Sequence, residues 1–343
     1  MIEFESLIKL DSSLKLLEGN KDGLIVQTIS HFKEPVRGSL LFANKLKIIE
    51  ALEKMEESKV GVVVQEDLWL KLTEEHQEKL KKSFSWVATV ENVDHAMCKL
   101  SKPFYDQMFS DLNYFVDGRQ LGTAEVHPDA EIAQGVFIGD SCKIGPGVKI
   151  LPGSVILPHV EIAKGTLVYP NVNIYPFVKI GENCRIHSGT VIGCDGFGYN
   201  FFDGHHQKIW HIGGVEIADH VEIGCNTMID AGTFSPTRIG SFSRIDNDVQ
   251  ISHNVEIQKN VIVCGTTGIA GSVVIEDYCA FGAGAGVAPS AHLEQGVQVA
   301  ARAAVSANAR IKKGETVAGH PARPLREWLK SQATLNRLAK KKV

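Results

Sequence analysis

His253 sits in "RIDNDVQISHNVEI" (residues 244–257), where Ile245, Ile251 and Ile257 recur every six residues and the positions between them turn polar. An imidazole titrates near neutrality, so it can take and return a proton as a general base and acid. A lone histidine in a repeat is also commonly a surface residue, and its surroundings must decide. Two other histidines, His206 and His211, are offset by five residues, a spacing open to zinc; no third histidine is placed with them by register. The seven cysteines (98, 142, 184, 194, 225, 264 and 279) include no CxxC pair, so they read as reduced core or surface residues.

What positions His253 is an internal repeat. From Val126 an Ile or Val falls on every sixth residue to Ile192; the phase resumes over Ile217, Ile223 and Ile229, then runs from Ile239 to Val317, with Phe281 and Leu293 the only other side chains. Neither a helix nor a hairpin has a period of six. A coil does, if each hexad makes one short strand and one corner with the β-branched residue pointing inward. Three hexads close a turn of 18 residues, so about 29 hexads give roughly ten coils. The spacing puts His253 two residues past an inward isoleucine, at a strand end or corner. Gly271 follows one coil later. The register breaks at 193–214, "GCDGFGYNFFDGHHQKIWHIGG", and at 232–237, "GTFSPT". Breaks in a solenoid are where functional loops grow, and the glycines and aromatics of the first suit a loop that covers substrate.

The flanks differ. Residues 1–115 read as a separate α/β domain, with helices in "NKLKIIEALEKMEESK" and "ENVDHAMCKLSKPFYDQMF" and a buried strand in "VGVVVQ". Residues 116–320 form the repeat domain. Residues 321–343 read as a helix with Leu325, Trp328, Leu329, Thr334, Leu335 and Leu338 on a face that packs back on the protein. This tail carries seven basic side chains against the single Glu327. The 343 residues carry a net charge of -4, which argues against a nucleic-acid binder. No window has the roughly 18 apolar residues of a membrane span, and the start lacks a signal-peptide pattern, so a cytoplasmic protein without an integral membrane segment is expected.

The segments "VHPDAEIA", "IHSGTVIGCDGFGY", "VEIGCNTMIDAGT", "IDNDVQISHNVEI" and "AGS" closely resemble the UDP-3-O-(3-hydroxyacyl)glucosamine N-acyltransferases of lipid A synthesis. The resemblance implies a mainly β chain: a trimeric left-handed parallel β-helix behind an N-terminal uridine-binding domain, with a C-terminal helical extension. It implies a homotrimer that moves a 3-hydroxyacyl group from acyl carrier protein to the 2-amino group of a UDP-sugar. No metal and no cofactor are implied beyond the carrier's phosphopantetheine thioester. His253 then matches the general base, Asp246 the aspartate that orients it, and Gly271 the glycine whose N–H meets the thioester oxyanion. Candidate substrate-binding residues are Phe42, Asn44, Asp195, Phe197, Gly198, Tyr199 and Asn247. The second histidine of the family falls at Ser290, with His292 two residues away. Ala231 stands where the family has arginine, and Lys47 where a uracil-stacking tyrosine belongs. Arg326, Lys330, Arg337 and Lys340 to Lys342 suit docking of the acidic carrier protein. Alternatives are an acyltransferase for another amino-sugar nucleotide, an inactive copy serving as scaffold, and, least favoured, a zinc hydratase.

Overall fold

The computed structural model describes residues 1–20, 23–55, 58–110, 112, 123–319 and 324–340. The boundaries expected at 115/116 and 320/321, and Lys341 and Lys342, lie outside the described residues. From Glu125 to Val317 the chain winds into three parallel sheets of nine, ten and ten short strands, an arrangement consistent with the left-handed parallel β-helix. Register advances by one coil of 18 residues wherever the period is unbroken: Ile251 pairs with Ile269 and Ile269 with Val287. Inward side chains stack on their counterparts, and Ile223, Ile229, Val263 and Leu293 are fully buried. The residue two places before most inward ones, such as Val249, Val261 or Val273, is buried as well, so two side chains per hexad fill the interior.

The corners explain the polar positions. The third residue after most inward ones adopts left-handed backbone, as at Asn183, Asp248, Asn254 and Asn260, or is a glycine such as Gly147 or Gly165. Asn and Asp tolerate that conformation because their short polar side chains bond locally. Where an aromatic takes the place, as at Phe242, it stacks on the corner residue His220 at 4.8 Å.

Outward positions distinguish the three faces. One sheet presents Glu125, Lys143, Glu161, Lys179, Glu216, Arg238 and Glu256 in alternating charge. The N-terminal domain is tied to this face by Glu34 to Arg238 (2.8 Å) and Glu256 to Lys33 (3.0 Å). That domain is a five-stranded mixed sheet in the order 15–18, 84–90, 58–65, 39–43, 28–29, with helices on both sides. The strand expected in "VGVVVQ" spans Ser58–Gln65 and the second helix Val93–Ser110, while the first helix is shorter than expected, Leu46–Leu52.

The first register break lies under the helix Val93–Ser110. It is not an irregular loop: Tyr199–Phe202 pairs antiparallel with His205–Lys208 across Asp203 and Gly204, both at positive φ. Ser101 Oγ accepts from Trp210 N–H, Tyr105 packs on the Trp210 indole, and Ile212 joins the N-terminal core. The second break bonds to the first, Ile212 N–H to Thr233 O and Gly213 N–H to Gly232 O. The C-terminal helix Leu325–Lys340 corrects the expectation that it packs back: Leu325, Trp328, Leu329, Leu335 and Leu338 are between 46% and 70% exposed. The amphipathic pattern specifies a helix with an apolar stripe, and one copy of the chain does not cover that stripe.

Corner geometry gives a test. Asn260→Gly is expected to leave stability within a few tenths of a kcal/mol, whereas Asn260→Val costs about 1–2 kcal/mol, since a β-branched side chain is strained in left-handed backbone. Denaturant unfolding of the two variants measures the difference.

Candidate active site

His253 occupies the corner after the strand Gln250–Ile251, and the left-handed residue beside it, Asn254, fixes its ring. Asn254 Oδ1 accepts from Thr233 N–H at 2.7 Å, and its Nδ2 donates to Thr233 Oγ1 at 2.9 Å and lies 3.0 Å from His253 Nδ1. A backbone N–H can only donate, so the amide orientation is set and Nδ1 must accept. In this orientation of the ring, neutral His253 carries its proton on Nε2. The GTFSPT insertion is what brings Thr233 to this corner, and Thr237 Oγ1 accepts Asn254 N–H at 3.0 Å.

Two glycines clamp the imidazole. A methyl group on Gly271 would lie 2.7 Å from Cε1 and 2.8 Å from Nε2, and one on Gly196 would lie 2.6 Å from Cβ and 2.9 Å from Cδ2. Only glycine admits the ring at both places. Gly271 is also where the 18-residue coil puts it: its carbonyl accepts from Ser290 N–H, while its own N–H has no partner among the described residues. Burial holds His253 below its ordinary pKa, which keeps it neutral and able to accept a proton near pH 7.

A second imidazole shares this pocket, and sequence reasoning considered it only as a metal ligand. His211 lies edge to face with His253, ring centres 5.2 Å apart at 70°, and Gly196 and Gly198 both press on it. It is 1% exposed, and burial, reinforced by His253, lowers its pKa to about 4. Its partner in the zinc alternative, His206, packs instead on Phe201 in the hairpin. No group of three His, Cys, Asp or Glu side chains that could hold a metal ion occurs among the described residues.

The remaining candidates are scattered. Asp246 does not reach His253 within this chain: its carboxylate accepts from Asn247 N–H (2.8 Å) and Gly265 N–H (2.9 Å) at the preceding corner, and Asn247 Oδ1 accepts from Cys225 N–H. Seven residues are one hexad plus one, so the two side chains fall on successive edges of the triangle. Ser290 follows the clamp coil at a left-handed corner, and His292 stands on the charged sheet bonded to Glu276 at 2.7 Å. Asp195 is paired with Lys208 in the insertion, Phe197 and Tyr199 are exposed and pack edge to face at 5.0 Å, and Gly198 backs His211. In the N-terminal domain Phe42 faces Phe234 of the second insertion at 6.0 Å, and Asn44 Nδ2 donates to Asp94 Oδ1. Lys47, in the tyrosine's place, is exposed. Arg326, Lys330 and Arg337 are exposed on the terminal helix.

A cavity of about 670 Å³ opens between this helix-braced insertion and the sheet face below it, lined by Tyr105, Phe109, Leu157, Tyr175, Phe177 and, at its polar end, Asp195 and His211. Ala231 also lines it, so the arginine absent there leaves space. Nearby Asp230 is buried and its pKa raised by that burial, and Cys194 beside it is pushed up to about 12, which makes this thiol inert. A larger cavity, about 840 Å³, runs along the charged sheet away from His253.

Residues 141–172 and 159–194 match the family model "Bacterial transferase hexapeptide (six repeats)". The chain has homologues named UDP-3-O-acylglucosamine N-acyltransferase. That of Methylobacterium nodulans is 38% identical over 160 residues, 47% of this chain and 45% of the relative. That of Maricaulis maris is 46% identical over 93 residues, 27% of each chain. The chain thus spans less than half the length of these relatives. The solved UDP-N-acetylglucosamine acyltransferase of Francisella novicida is similar over 61% of this chain and 72% of its own, at 26% identity and a TM-score of 0.39. No helix among the described residues is long and apolar enough to cross a membrane.

The buried neutral His211 makes the fold sensitive to acid. Its folded pKa of about 4 lies below its ordinary 6.5, so the unfolded chain binds the proton more readily. Stability is therefore expected to be full above about pH 6.5 and to fall by roughly 3 kcal/mol as pH drops toward 4. His211→Gln should flatten that fall, as denaturant midpoints across the range would report.

Proposed function

We propose that this chain transfers a 3-hydroxyacyl group from the phosphopantetheine thioester of acyl carrier protein to the 2-amino group of a UDP-3-O-acylglucosamine, with His253 as general base. The observation that carries this reading is the clamp: a neutral, half-buried imidazole held between Gly196 and Gly271, with an unpaired Gly271 N–H beside it. The amine nitrogen attacks the thioester carbon, its proton passes to His253, and the carbonyl oxygen gains charge that the Gly271 N–H meets. Collapse breaks the C–S bond, and His253 returns the proton to the thiolate. The products are an amide and a free thiol. Past His253 the same face offers Gly268, Ala270, Gly286 and Ala288 along a shallow groove of about 440 Å³, bare enough for an extended pantetheine arm.

The active assembly in this reading is a homotrimer. The uncovered apolar stripe of the terminal helix supports association, and Asp246 can reach the site only from the corner of a partner subunit. Arg326, Lys330 and Arg337 fall within about 40° of one another around that helix at 3.6 residues per turn, which supports docking of an acidic carrier protein. The reaction belongs in the cytoplasm. A second reading, a related acyltransferase for another amino-sugar nucleotide, is favoured by the exposed Lys47 and by Ala231 at the cavity.

An acyl-transfer assay with hydroxyacyl carrier proteins and a set of UDP-amino-sugars separates these readings. UDP-3-O-acylglucosamine is expected to be the best acceptor, and His253→Ala to lower turnover by about two to four decades with an unchanged fold. Transfer to none of the acceptors, or full turnover in the variant, would sink the proposal.

A further inference from the structure

One titratable group at the site has no task in the reaction above. His211 is 1% exposed, and among the described residues neither of its ring nitrogens makes a hydrogen bond of good geometry, the Ile209 backbone alone lying within weak reach of the ring. Unpaired buried nitrogens are destabilising, and an apolar side chain of similar size would fill the place without that penalty. A second arrangement of the site that pairs one of them would account for the histidine.

The pairing group is the neighbouring ring. Two imidazoles joined by an N–H···N bond of about 2.9 Å have ring centres about 5.2 Å apart, because each nitrogen lies about 1.1 Å from its own centre. His211 and His253 stand at that separation, 5.2 Å, with an unbonded edge between them. In the arrangement described, His253 turns Nδ1 to Asn254 and leaves Cδ2 toward Gly196. A methyl on Gly196 would meet His253 Cδ2 at 2.9 Å and His211 Nε2 at 2.8 Å, so those two atoms face the same small space. The Cβ–Cγ torsion of histidine is broad and roughly two-fold, so a half turn is accessible. That turn exchanges Cδ2 with Nδ1 and Cε1 with Nε2. It aims Nδ1–H at the His211 side and leaves Nε2 still beside Gly271, since the two exchanged atoms lie 2.7 and 2.8 Å from the same point on that glycine.

We propose that His211 is a positioning residue for the base: as a neutral imidazole, its Nε2 accepts the Nδ1–H of His253, fixing the ring form in which His253 Nε2 carries the lone pair that takes the substrate proton. The inference deepens the reading of His253 as base and rests on it. The proton count closes without His211 changing charge. His253 gains a proton at Nε2, keeps its Nδ1–H bonded to His211, and passes the Nε2 proton to the departing thiolate. Burial makes His211 much harder to protonate than an exposed histidine, so it stays an acceptor while His253 titrates. Asn254, which bonds the ring in the first of the two orientations, keeps its bonds to Thr233 in both.

The test is ¹⁵N NMR of the histidine tautomers in the full-length, assembled protein, with kinetics alongside. In wild type the neutral His253 proton is expected on Nδ1. His211→Phe should move it to Nε2 and lower kcat about tenfold or more with KM for both substrates unchanged, and His211→Gln, whose carbonyl can accept, should restore both. The proposal fails if wild-type His253 holds its proton on Nε2, or if His211→Phe leaves tautomer and kcat as in wild type. It also fails if Asp246→Asn, rather than His211→Phe, switches the tautomer. A tautomer switch in a protein that transfers no acyl group would uphold the pairing and refute only the substrate reading.

Discussion

Everything at the site depends on the length of one coil. Eighteen residues close the triangle, so residue n lies beside residue n + 18 at the interstrand spacing of about 4.8 Å, and the stacked interior forbids any slip. That constraint, enforced by inward residues such as Ile251 and Ile269, places Gly271 against His253. A one-residue slip would bring Ala270 or Ser272 to the ring and bury a polar face. The clamp is a consequence of packing many residues away.

A regular coil alone would leave His253 as one more exposed corner residue. Its special surroundings come from the two register breaks, which the rod tolerates because each returns to the same phase at Val215 and Thr237. The first supplies Gly196 and His211, and the second supplies Thr233, whose bonds fix Asn254. The helix Val93–Ser110 braces the first through Ser101 and Tyr105, and the second bonds to the first. The N-terminal domain therefore shapes the site as well as offering Phe42 and Asn44.

Much of this was legible in the sequence, for a definite reason: a six-residue period is the same physics repeated, and each repeat confirms the last. The 29 strands, the corner place of His253 and its approach to Gly271 all follow from spacing. Asp246 entered through the resemblance alone, and spacing does not bring it to His253 within one chain, because seven residues in this coil mean a different edge. His211 was missed as a neighbour of His253 because it lies in a segment where the period is suspended. The hairpin before it did leave a signal, the Asp203–Gly204 pair that suits a two-residue turn. The terminal helix announced its apolar stripe but not what covers it, since a pattern on one chain carries no information about a second.

The central claim, that a buried neutral His253 is the base, is tested most directly by the pH dependence of kcat/KM. The rate is expected to fall on the acid side through a single ionisation below the ordinary histidine value of about 6.5, matching the titration of the His253 ring followed by NMR in the free protein. A rate that is flat from about pH 5 to 8, or an inflection that does not coincide with the His253 titration, would contradict the account.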